Sequence, residues 1–127
     1  MVFTPYEQID RGSDRSNNWC FECGEKHPQW ISVNNGIYIC LNCAGIHRGF
    51  GVQVSFVRSL EMDKISDLQK KMLQYGGNNQ LREVLKLYGL ENEPAETRYF
   101  TKACQFYRDK LKQMAELNQV TIITKEI

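Results

Sequence analysis

Two cysteine pairs, Cys20-x2-Cys23 and Cys40-x2-Cys43, stand sixteen residues apart, and Arg48 follows the last cysteine by five positions. Each C-x2-C pair can form a knuckle whose two thiolates point at one ion. A hairpin between the pairs would fold back to make a tetrahedral four-thiolate site. Four thiolates close the coordination sphere of a Zn2+ ion, leaving no position for a metal-bound water. The expected metal, one per chain, is therefore structural, and metal-assisted hydrolysis is not the chemistry of this site. His27 and His47 flank the cysteines, but four better ligands exist, so both read as hydrogen-bonding residues of the knuckle region. Cys104 falls on a helical apolar stripe, where a free cysteine behaves as a small hydrophobe.

The remaining chemistry sits on Arg48. A metal ligand fixes nearby backbone firmly, and Arg48 lies about one and a half helical turns beyond Cys43, so it inherits that rigidity. Gly45, Gly49 and Gly51 remove side chains around it and let another surface approach closely. Such an arginine suits delivery in trans to a phosphate, although on spacing alone it reads first as a solvated or structural charge. The chain has no GxxxxGK[ST] loop, so any nucleotide must arrive on a partner.

These residues need elements to hold them. Trp30–Val33 and Ile37–Ile39 are β-prone, with Asn34-Asn35-Gly36 as a hairpin turn between them. A short helix is expected from about Cys43. From residue 63 the period becomes helical. Ile65, Leu68, Met72 and Tyr75 form one stripe, with Asp63 as N-cap and Gly76-Gly77 as the stop. Leu81, Val84, Leu85 and Tyr88 mark a second helix, opened by Asn78 or Asn79 and closed by Gly89. Pro94 suits the first turn of a third and longest helix, striped by Phe100, Cys104, Tyr107, Leu111 and Met114. A short helix near Pro5–Arg11 and an isolated β-prone tail after Asn118 complete the reading. The class is α+β: a small metal-bound β unit packed with several helices. Residues 1–18 form an N-terminal segment, 19–118 a single domain and 119–127 a tail or linker.

Composition narrows the function classes. The chain has 127 residues, 42% of them apolar and 24% charged, with a formal net charge of +1. That near-neutral balance argues against nucleic acid, and the stretch from Cys20 to Cys43 holds one lysine and no arginine. No apolar run approaches the ~18 residues of a membrane span. The start, MVFTPYEQID, does not read as a signal peptide, and five cysteines without one suggest the reducing cytoplasm.

The stretch WCFECGEKHPQWISVNNGIYICLNCAGIHRGFGVQVSFVRSLEMDK resembles the ArfGAP domain, the GTPase-activating module for Arf-family small GTPases. The family pattern is met by Cys20, Cys23, Cys40 and Cys43, then Gly45-Ile46-His47-Arg48. Gly51-Val52, Ser55, Val57-Arg58-Ser59-Leu60 and Met62-Asp63 follow. KKMLQYGGNNQLREVL and FYRDKL extend the similarity to about residue 117, most like the Golgi-associated branch. The resemblance implies that Arg48 is an arginine finger acting on GTP and Mg2+ carried by an Arf-family GTPase, with no independent turnover by this chain. It also implies that Trp30 contacts the GTPase or braces the arginine, where its residue type alone would make it core. Leu41, Met62 and Asp63 match positions near the catalytic surface. His27 and Ile65 depart from the family's usual aspartate and tryptophan, and both bear on substrate preference. Membrane contact, at the Golgi, is expected only through segments absent from this chain. A non-catalytic zinc-finger adaptor for Arf-GTP is the alternative.

Overall fold

The computed structural model describes residues 9–120. Strands β1 (Trp30–Ser32) and β2 (Ile37–Ile39) form the expected antiparallel hairpin, pairing Trp30 with Ile39 and Ser32 with Ile37. Gly36 closes the turn at φ +62°, and a Cβ there would lie 2.8 Å from Leu111 Cδ2 and 3.1 Å from the Met72 carbonyl oxygen. The position thus needs glycine both for its backbone and for the close approach of the helices behind it.

Helix α1 (Leu41–Arg48) starts two residues before Cys43, because Cys40 is its N-cap. Strand β3 (Val57–Ser59) was not expected from the sequence; it pairs antiparallel with β1, giving the order β2-β1-β3. Three residues are too few to show alternation, so this strand is created by its partner. Helix α1 packs on β1 and β3.

Helix α2 (Asp67–Tyr75) is capped by Ser66, whose hydroxyl accepts the Gln69 N–H while the Gln69 side chain accepts the Ser66 N–H. This complete capping box overrides the expected cap at Asp63. Leu68 accordingly turns out to solvent, while Ile65, Met72 and Leu73 are buried. Helix α3 (Asn78–Leu87) ends as expected at Gly89, at φ +70°, with the paired Leu90-to-Leu85 and Gly89-to-Lys86 backbone bonds of a Schellman motif.

The expected third helix is two. Pro94 is the N-cap of α4 (Ala95–Arg98), and Thr101 caps α5 (Lys102–Leu117) through the Cys104 N–H. The corner between them turns Arg98 and Tyr99 inward and leaves Phe100 exposed, off the stripe that Cys104, Tyr107, Leu111 and Met114 bury against α2. Of the expected N-terminal helix, residues 5–8 lie outside the described part, and Ile9–Arg11 are not helical. Tail residues 121–127 also lie outside it. Among the described residues no helix is long and apolar enough to cross a membrane.

Asn78 is the pin of this architecture rather than a cap. It is the first residue of α3 and fully buried. Its Oδ1 accepts the Tyr38 N–H at 2.8 Å, closing the outer edge of β2, and its Nδ2 donates to the Ser16 and Trp19 carbonyls. Replacing Asn78 with alanine leaves the buried Tyr38 N–H without its acceptor, at about 1–3 kcal/mol, and takes one donor from each of the part-buried Ser16 and Trp19 carbonyls. Asn78→Ala should therefore lose about 2–3 kcal/mol of stability, read as a lowered urea midpoint at unchanged slope.

Candidate functional site

The first knuckle is a miniature hairpin. Trp19 and Lys26 form an isolated bridge, Cys20 N–H donates to the Glu25 carbonyl, and Gly24 N–H donates back to that of Cys20. The second knuckle is the start of α1, where Cys40 Sγ accepts the Cys43 N–H at 3.5 Å. A thiolate at this place faces the positive end of the helix.

The Sγ atoms of Cys20, Cys23, Cys40 and Cys43 all lie within 4.8 Å of one another, and those of Cys23 and Cys40 are 3.6 Å apart. Sulfurs bound tetrahedrally at about 2.3 Å would be separated by about 3.8 Å, so the four are grouped to hold one metal ion. Without a cation, burial and then the neighbouring Cys20 push the Cys43 thiol up. At Cys40 burial opposes ionisation, but the Cys43 N–H and the adjacent thiols bring its thiol down. A divalent ion removes this conflict, because every thiolate then faces positive charge. Cys104 is buried on α5 outside this cluster, and burial pushes its thiol up, as a packing residue requires.

Arg48 is the last residue of α1 and exposed, with its guanidinium 5.0 Å from the centroid of the Trp30 ring. Trp30 is half-buried at the centre of the sheet, paired on one side with Ile39 and on the other with Ser59. Ile39 leads into Cys40 and Leu41, and Ser59 into Met62 and Asp63. Leu41 and Met62 are large exposed apolar residues, at 65% and 63%. Asp63 is half-buried, and its carboxylate accepts the Ser59 N–H at 2.8 Å. It shapes the turn that carries Met62. Trp30 thus lies on the central strand, between the segments that lead to Leu41 and to Met62, with the Arg48 guanidinium over its ring.

His47, beside Arg48, is fully buried and belongs to a network that the sequence did not reveal. Its Nδ1 meets Ser55 Oγ at 2.7 Å, Ser55 Oγ meets Ser32 Oγ at 2.7 Å, and Asn35 Nδ2 donates to Ser32 Oγ. Its Nε2 meets Glu22 Oε2 at 2.7 Å. The Tyr99 hydroxyl donates to the same oxygen at 2.6 Å, and Arg98 pairs with Glu22 Oε1. Burial opposes ionisation of Glu22, but the hydrogen bond from His47 and the charge of Arg98 hold its carboxyl below the usual carboxylate range. Burial and the Glu22 carboxylate raise Tyr99 well above the usual phenol range, so its hydroxyl is a donor. His27, by contrast, is exposed in a turn at φ +55°. The one local signal for this network was an acidic residue inside the C-x2-C knuckle; its partners lie 25, 76 and 77 residues away.

The sequence model of the ArfGap family, described as "Putative GTPase activating protein for Arf", matches residues 6–119. The chain belongs to the ArfGap family. It is 38% identical over 101 residues to ADP-ribosylation factor GTPase-activating protein 3 of Mus musculus, covering 79% of this chain and 19% of that protein. Over 102 residues it is 38% identical to ADP-ribosylation factor GTPase-activating protein GCS1 of Saccharomyces cerevisiae, covering 80% of this chain and 29% of that one. The chain thus spans about a fifth to under a third of the length of these ArfGap relatives. A solved structure titled "putative GTPase activating protein for ADP ribosylation factor", from Cryptosporidium parvum, superposes with a TM-score of 0.66 at 32% identity. That match covers 84% of this chain and 82% of the other.

Because the sulfurs tie both knuckles of this ArfGap domain together, the metal should be part of its folding free energy. One metal ion per chain is expected by elemental analysis, and stripping it with a chelator should abolish cooperative thermal unfolding. Cys40→Ser should lose the ion, and Cys104→Ser should keep it.

Proposed function

We propose that this domain stimulates GTP hydrolysis on an Arf-family GTPase in its GTP form, by inserting Arg48 into the partner's active site. The observation that carries this reading is the exposed Arg48 guanidinium at one end of α1, whose other end is tied to the metal cluster through Cys40 and Cys43. Membership of the ArfGap family and the names of its relatives supply the partner class.

The metal on this reading is Zn2+. Four soft thiolates suit it, their spacing fits a tetrahedral shell, and a closed shell makes the ion structural. When bound, it supplies cross-linking and charge neutralisation to the two knuckles. The reacting groups come from elsewhere. The partner brings GTP and Mg2+. The cleft beside Cys43 is lined by Glu22, paired with Arg98, and by Glu93 and Glu96, an acidic excess that would repel a polyphosphate.

As the γ-phosphoryl group leaves, charge accumulates on phosphate oxygens, and an arginine supplied in trans stabilises it by about 10³–10⁵ in rate. At ~1.36 kcal/mol per decade that is about 4–7 kcal/mol. The guanidinium offers a planar fork of donors that lysine lacks. Exposed Leu41 and Met62 flank the finger as apolar contacts for the GTPase, Trp30 braces Arg48, and Asp63 holds the turn beneath Met62. The domain would act in the cytoplasm on an Arf at Golgi membranes.

Single-turnover hydrolysis on a GTP-loaded Arf-family GTPase tests the reading. Arg48→Lys should lose about 100-fold or more in rate, with metal content and unfolding midpoint unchanged. Equal rates for the two proteins would overturn it and leave a binding adaptor.

A further inference from the structure

The metal holds only the N-terminal half of α1. Arg48 lies about 7.5 Å further along the axis at 1.5 Å per residue, beyond Gly45, which weakens the helix by ~1 kcal/mol relative to alanine. Something else must hold the last turn, and the buried imidazole next to the arginine is what the rest of the molecule grips. His47 is hydrogen-bonded at both ring nitrogens and flanked by the rings of Phe50 and Tyr99 at 5.1 and 4.9 Å.

Glu22 anchors one end of the chain of bonds. Ionised Glu22 only accepts, so His47 Nε2 carries a proton. At the other end Asn35 Nδ2 donates to Ser32 Oγ, and Ser32 Oγ, Ser55 Oγ and His47 Nδ1 follow one another at 2.7 Å. Each buried polar group along this chain has a hydrogen-bond partner on both sides. Glu22 ends it, and Glu22 is itself gripped by Arg98 and Tyr99 from the α4–α5 corner.

We propose that Glu22 is a positioning residue for the arginine finger. Through His47 it couples the α4–α5 corner to the last turn of α1 and so fixes where Arg48 stands. This rests on the arginine-finger reading above. A displacement of ~1 Å at a group that must meet a transition state costs up to about 100-fold, without loss of binding.

The test is a double-mutant cycle in single-turnover hydrolysis by a GTP-loaded Arf-family GTPase, over a range of domain concentrations. Glu22→Gln keeps the size of the side chain but gives up the charge that Arg98 and His47 hold. It should lower the maximal rate about tenfold and leave the half-saturating concentration within about twofold. In the Arg48→Lys background the same change should have no further effect, since it acts through the arginine. A Glu22→Gln rate equal to the native one overturns the proposal, and so does an equal loss in both backgrounds. If Arg48→Lys matches the native protein, the finger reading itself falls, whatever Glu22→Gln does. Should Glu22→Gln shed its metal or unfold, Tyr99→Phe removes one hydroxyl from the same carboxylate and carries the same cycle, with about threefold expected.

Discussion

Four thiols within 4.8 Å of one another can ionise together only if a cation sits among them. Nearly everything near the site depends on that constraint. The strands are three residues long, far too short to define a sheet by hydrogen bonds alone. Once the knuckles are tied, β1 and β2 must run back to back, Cys40 must cap α1, and β3 has a fixed edge to pair with. The largest buried side chains, Tyr38, Tyr99 and Tyr107 with Ile31, Ile37 and Ile39, then fill the space between this unit and the helices.

Polar side chains rather than apolar ones set the fine geometry of so small a core. Asn78 closes the β2 edge from α3. Asn34 accepts the Phe56 N–H and donates to the Gln53 carbonyl, and Asn35 donates to the Val54 carbonyl, so the hairpin turn is bolted to the segment before β3. Apolar packing tolerates sliding by fractions of an ångström. A buried amide with all of its partners in place does not, because each lost bond leaves a desolvated group behind. The domain therefore keeps its surface residues in register with few elements and little area to bury.

The parts legible in the sequence are those governed by local rules. The C-x2-C spacing, the Asn-Asn-Gly turn, and the stops at Gly76-Gly77 and Gly89 each follow from a few neighbouring residues. The misread parts have competing local signals or distant causes. Asp63 and Ser66 both precede the α2 stripe, and the Gln69 partner decides for Ser66. The stripe Phe100, Cys104, Tyr107 keeps helical period straight across the α4–α5 corner, so periodicity could not show the break. Thr101 creates it, and burial of Tyr99 against Glu22 stabilises it. The Glu22–His47–Ser55 chain was invisible for a simpler reason: no rule of spacing links residues brought together only by the finished fold.

The resting place of Arg48 bears on how such an arginine can act. A free arginine side chain has about 2 kcal/mol of rotamer entropy to lose when it is caught by a partner. Over the Trp30 ring, at 5.0 Å, part of that entropy is already lost in the uncombined domain. The cation–π contact itself is worth about 0.5–1 kcal/mol at an exposed site, small beside the ~4–7 kcal/mol that charge on a transferring phosphoryl group offers. The tryptophan can therefore restrict the guanidinium without holding it back. A carboxylate in the same place would pair with the arginine in a charge-assisted bond and compete with the phosphate for it. An aromatic brace limits the search and yields the arginine when a stronger anion arrives. On the arginine-finger proposal, this suits a half-buried tryptophan at the centre of a sheet whose other central residues are fully buried.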